Sequence, residues 1–139
     1  MGRRKRILVV EDEPCCRTVL ALILKSNNFD VTEAENGEEA LSLLLRKDRG
    51  KKPFDLVVTD LQMPRMTGFE LIRAIKKETI PVSTFVVTGL EDDDLMAKLG
   101  PMGCAGYMEK PCDFDALVER VTAILHETGQ SGGLDAQGR

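Results

Sequence analysis

The chain has 139 residues, 42% of them hydrophobic and 30% charged, with a formal net charge of −4. This length suits one domain with a real core and leaves no room for a second. The acidic balance offers no broad cationic footprint for nucleic acid, and no apolar run approaches the ~18 residues of a membrane span.

The basic cluster Arg3-Arg4-Lys5-Arg6 reads as a solvated lead-in (residues 1–5) to the first strand, without the apolar core of a signal peptide. That strand is Ile7-Leu8-Val9-Val10, running straight into Glu11-Asp12-Glu13. Pro14, a favoured first-turn residue, opens a helix to about Lys25 with Val19, Leu20, Ile23 and Leu24 inward. Asp30 to Ala34 is a second short strand. Asn36 with Glu39 three residues on predicts a capped helix through Leu41, Leu44 and Leu45, ending in residues 46–50.

After a polar loop to Pro53, Leu56-Val57-Val58-Thr59 forms a third strand ending on Asp60. Thr67 and Glu70 repeat the capping logic for a helix to about Lys77, and Pro81 breaks the chain before Phe85-Val86-Val87, which ends on Thr88. Residues 91–94 place four acids in the predicted first turn of a fourth helix, which Gly100-Pro101 should stop early. Tyr107-Met108-Glu109 precedes Lys110-Pro111. Asp113 to about Glu127 is a last amphipathic helix carrying Leu117, Val121, Ile124 and Leu125. The Gly-rich tail (128–139) is predicted disordered, leaving a single domain over residues 6–127.

The four cysteines (Cys15, Cys16, Cys104 and Cys112) form no C-x-x-C pair, which points to reduced thiols and a cytoplasmic chain. They read best as small apolar residues. Cys15, Cys16 and Cys112 lie near helix N-termini, however, where a lowered thiol pKa and a redox role could arise. His126, the one histidine, reads as a surface residue.

Strict alternation of strand and helix argues an α/β doubly wound parallel sheet. In such a sheet the strand ends open on one edge, where ligand sites form. Glu11, Asp12, Asp60, Thr88 and Lys110 would then converge. Carboxylates crowded together repel unless a cation neutralises them, and Mg²⁺ (or Mn²⁺) is the hard ion that shares carboxylate and phosphate oxygens.

The blocks ILVVEDE, LVVTDLQMPRMTGFEL, FVVTG and GYMEKP closely resemble the receiver domain of two-component response regulators, of the single-domain chemotaxis type. The resemblance implies a flavodoxin-like, five-stranded parallel sheet with five flanking helices. It implies Asp60 as phosphoacceptor, Asp12 as direct metal ligand, Glu11 as an acid acting through water, and the backbone carbonyl of Gln62 as a further ligand. Lys110 would pair with Asp60 and then with the phosphoryl group, Pro111 would follow it through a cis bond, and Thr88 and Tyr107 would form a switch pair. The implied partners are a sensor histidine kinase or a histidine phosphotransfer domain, and a downstream protein contacting helix four, strand five and helix five. DNA-binding or enzymatic output is not expected, only phosphoryl acceptance and self-dephosphorylation. Gly89, Leu90, Pro101 and Cys112 depart from the common family pattern, which bears on the acyl phosphate lifetime and the partner-facing surface.

Rival readings are weaker. A dehalogenase-type phosphatase needs a second aspartate two residues past the first, where Gln62 stands. A flavin-binding protein would need amide and hydroxyl donors after strand one, where Glu11-Asp12-Glu13 would repel phosphate. A non-phosphorylated pseudo-receiver, acting purely as a protein-interaction module, is the remaining alternative.

Overall fold

The apolar runs fold as five parallel strands in the spatial order β2-β1-β3-β4-β5. The computed structural model describes residues 4–46 and 53–129; the start of the basic lead-in (1–3), the expected helix end and polar loop over 47–52, and the expected disordered tail beyond Gly129 lie outside the described residues. In chain order the elements are β1 (Arg6–Val10), α1 (Pro14–Ser26), β2 (Asp30–Ala34), α2 (Gly37–Leu45), β3 (Leu56–Thr59), α3 (Gly68–Lys77), β4 (Ser83–Thr88), α4 (Leu95–Leu99), β5 (Tyr107–Glu109) and α5 (Phe114–Gly129). A 3₁₀ turn, Gly100–Met102, follows α4.

β1 and β3 are apolar on both faces because helices cover both. Alternate residues divide between two cores, as the two-residue side-chain period requires. Ile7, Val9, Leu56, Val58, Phe85 and Val87 pack with Leu20 and Leu24 of α1 and with Leu117, Val121 and Leu125 of α5. On the other face Leu8, Val10 and Val57 meet Ala40 of α2 and Leu71 and Ile75 of α3. Leu61, Ile72, Val86, Leu95 and Leu99 extend that layer under α4. The chain leaves β1 toward β2 on one side and returns to β3 on the other. The sheet's topological switch point therefore falls between the ends of β1 and β3, where such folds bind ligands.

Local chemistry sets the helix boundaries. Glu13 caps α1, its side chain accepting from the Cys16 N–H at 2.8 Å, ahead of Pro14. Thr67 and Glu70 close a reciprocal capping box on α3. Asp113 caps α5 by accepting from the N–H groups of Asp115 and Ala116.

The structure corrects three local expectations. Glu39 accepts from the N–H of Glu35 rather than that of Asn36, while Asn36 still caps Glu39. α2 stops at Leu45, whose side chain is exposed along with Val19 of α1, because no element among the described residues covers those positions. All four acids, 91–94, precede α4, with Asp94 at its N-cap, instead of occupying its first turn. Asp92 accepts from the Asp94 N–H and from the Lys98 ammonium, and so braces the helix from outside. As expected, α4 ends early, after five residues, where Gly100-Pro101 diverts the chain into the 3₁₀ turn.

Candidate functional site

Four parallel strands, β1, β3, β4 and β5, bring their C-terminal ends to one edge. The Asp60 N–H continues the β1–β3 ladder by donating to the Val10 carbonyl at 3.1 Å, and the Glu11 N–H donates to the Ala34 carbonyl at 3.1 Å. The Lys110 N–H donates to the Thr88 carbonyl at 2.8 Å, tying the end of β5 to that of β4. Backbone pairing alone therefore gathers Glu11, Asp60, Thr88 and Lys110.

The side chains complete the cluster. Asp60 is 6% exposed; its Oδ1 accepts from the N–H of Leu61 at 2.6 Å and of Gln62 at 3.2 Å. Its Oδ2 accepts from Lys110 Nζ at 2.9 Å, and the same ammonium reaches Glu11 Oε1 at 2.6 Å. Glu11 is buried and takes a further bond from the Glu13 N–H on Oε2. Asp12 is exposed at the mouth of the site, and carboxylate oxygens of Glu11, Asp12 and Asp60 lie within 4.8 Å of one another.

Burial pushes the Glu11 carboxyl above its usual range, with the Lys110 bond pulling partly back. Burial opposes the charge on Lys110, but its bonds to Glu11 and Asp60 outweigh that and hold the ammonium's pKa above its ordinary value. Glu11 and Asp60 share the Lys110 ammonium and Asp12 stands beside them, so three ionised carboxylates against one ammonium leave a net negative cluster. A hard divalent cation matches that deficit and that all-oxygen donor set, and these residues fit Mg²⁺.

The loop after β3 folds back on the acid it carries. The Gly68 N–H donates to the Leu61 carbonyl at 3.1 Å, and a Cβ on Gly68 would lie 2.1 Å from the Asp60 carbonyl oxygen. Only glycine lets α3 start this close to the site. Its sequence signal was a glycine at a first helical position, where propensity disfavours it.

Thr88 is fully buried, and its Oγ1 accepts from the Leu90 N–H at 3.1 Å. Tyr107 is half-buried against the cluster of Leu61, Leu95 and Leu99, which Leu90 also contacts. The structure brings Glu11, Asp12, Asp60 and Lys110 together at this edge, with Thr88 ending the neighbouring strand. Gln62 joins through its N–H rather than the expected carbonyl, and Tyr107, at the start of β5, packs on the apolar cluster instead. Arg17, which the sequence pattern did not single out, donates from Nη1 to the Glu11 carbonyl at 2.9 Å.

The possibility of a lowered thiol pKa is not met at Cys16 or Cys112. Cys15 is exposed, Cys16 and Cys112 are half-buried, Cys104 is buried, and all four are free. Burial raises the pKa of Cys16, Cys104 and Cys112. Cys15, Cys16 and Cys112 line an apolar groove of about 440 Å³ with Val19, Pro111 and Phe114. Native-state alkylation is expected to label Cys15 first and Cys104 only on unfolding. Fast labelling of Cys104 in the folded protein would contradict this packing. His126 is exposed, as expected.

The profile of the response regulator receiver domain matches residues 7–122. The chain belongs to the response regulator receiver domain family. This receiver is 31% identical over 119 residues to a cyclic di-GMP phosphodiesterase of Thermotoga maritima, covering 86% of this chain and 30% of that protein. It is 30% identical over 124 residues to the cell cycle response regulator CtrA of Brucella ovis, covering 88% of this chain and 51% of the relative. The chain thus spans about half or less of the length of these curated relatives. The crystal structure of a response regulator receiver protein from Pseudomonas putida superposes with a TM-score of 0.78 at 33% identity, covering 88% of this chain and 99% of that one. The chain is the receiver domain of a two-component response regulator, and its flavodoxin-like sheet is the family's. No helix among the described residues is long and apolar enough to cross a membrane.

Proposed function

We propose that this receiver accepts a phosphoryl group on Asp60 from a sensor histidine kinase or a histidine phosphotransfer domain in the cytoplasm, with Mg²⁺ or Mn²⁺ bound. The observation that carries the reading is the setting of Asp60: one oxygen on two backbone N–H groups, the other on the Lys110 ammonium, beside two further acids. The Asp60 carboxylate attacks phosphorus, the phosphorus–nitrogen bond to the donor imidazole breaks, and an acyl phosphate forms. The N–H groups of Leu61 and Gln62 aim the carboxylate. Lys110 offsets charge on the transferring group from a position it already holds, so little reorganisation is needed. Glu11, Asp12, Asp60 and the Gln62 backbone carbonyl would hold the metal, which supplies charge neutralisation at the phosphoryl oxygens.

The readout runs through Thr88. Its hydroxyl holds the Leu90 N–H, so a shift toward a phosphoryl oxygen moves the loop after β4 as well. Leu90 and Tyr107 pack on the same cluster, which couples that movement to the face made by α4, β5 and α5, where Met96 is already exposed. That face would meet the downstream protein.

Incubation with acetyl phosphate and Mg²⁺ should add the mass of one phosphoryl group to the intact protein. Borohydride reduction of the product should convert residue 60 to homoserine, as an aspartyl phosphate requires. No mass gain would favour a pseudo-receiver that acts only by protein contact.

A further inference from the structure

Arg17 stands in the first turns of α1, where the helix dipole disfavours a cation, yet its side chain is only 15% exposed. Two contacts explain its place. Nη1 donates to the Glu11 carbonyl at 2.9 Å, and Nε lies 3.3 Å from Glu33 Oε1. Glu33 belongs to β2 and is the register partner of Val9 in β1. The guanidinium therefore links the second strand to the peptide that joins Glu11 to Asp12, just past the end of β1.

We propose that Arg17 is a positioning residue for the acid pair: anchored by Glu33, it fixes the Glu11–Asp12 peptide and thereby the directions of both carboxylates. The inference rests on the metal-binding reading above. A trans peptide is rigid, so holding its carbonyl sets its N–H and both flanking Cα atoms. Asp12 is exposed at the mouth of the site, and the planar fork of arginine can grip two acceptors at once where lysine offers a point charge. Glu33 faces the positive charge, so the contribution of Arg17 is geometric rather than a field at the cluster.

The sign of one measurement separates the two. Removing a nearby cation by electrostatics alone would tighten divalent binding, whereas removing a brace weakens it. Mn²⁺ binding to the full chain, read from the electron paramagnetic resonance signal of the free ion, should weaken about tenfold in Arg17→Ala, the size of one lost charge-assisted bond. Arg17→Lys should recover only part of that. Glu33→Gln should weaken binding less, and the double variant Arg17→Ala with Glu33→Gln should be no worse than Arg17→Ala alone, because the two act as one unit. The metal-free melting temperature should fall only slightly in each. Unchanged or tighter Mn²⁺ binding in Arg17→Ala, with wild type binding normally, overturns the brace alone. Wild type that takes up no Mn²⁺ overturns the metal reading and this inference with it.

Discussion

Lys110→Ala is expected to slow phosphoryl incorporation from acetyl phosphate by about a hundredfold or more, the usual loss when a preorganised charge is taken from a developing anion. The mass-gain assay, run as a time course, checks it. Removing the ammonium leaves the Glu11 and Asp60 carboxylates facing each other in a buried site. The expected cost in metal-free buffer is about 2 kcal/mol, moderated by the 24% of the lysine side chain that meets water. The deficit depends on pH. Glu11 already titrates above the usual range because of burial, and Lys110 is what restrains it. Without Lys110 that pKa climbs further, so the variant takes up a proton at higher pH than wild type. A neutral Glu11 no longer needs the ammonium, so the stability gap should narrow as the solution is acidified. A gap that stays constant from neutral pH downward would mean the pair contributes nothing to folding.

Gly68→Ala is expected to be the most damaging single methyl in the protein. The added Cβ would lie 2.1 Å from the Asp60 carbonyl oxygen and 2.8 Å from Leu61 Cα, both main-chain atoms that cannot swing aside. Relief requires α3 or the strand end to move. The expected loss is about 3 kcal/mol or more, a drop of roughly 10 °C in melting temperature. Because the displaced segment carries the N–H groups that hold Asp60, acetyl phosphate labelling should fall even at temperatures where the variant stays folded. Gly89, with nothing within 4 Å of a built Cβ, serves as the control: Gly89→Ala should leave both stability and labelling near wild type.

Much of this was legible from the residues. Runs such as Leu56–Thr59 are short and apolar on both faces, which only a covered parallel strand tolerates, and their polar ends fixed where chemistry would gather. Helix starts were legible because Asn36, Thr67 and Pro14 act locally. What escaped the pattern depends on neighbours distant in sequence. Val19 lies at core-like spacing on α1 but borders an open groove, since nothing among the described residues packs over it. Cys15 shares that rim, so it is an exposed thiol rather than a small core residue. The closeness of Gly68 to the Asp60 carbonyl and the pairing of Arg17 with Glu33 of β2 exist only once the chain has folded.

The strand order leaves two free margins, and neither invites another strand. β5, at one margin, has only three residues; β2, at the other, carries exposed Asp30 and Glu33. Short or acidic borders discourage sheet-to-sheet annealing between molecules. Crowded receivers of this kind should therefore resist fibril-like stacking through their sheet margins.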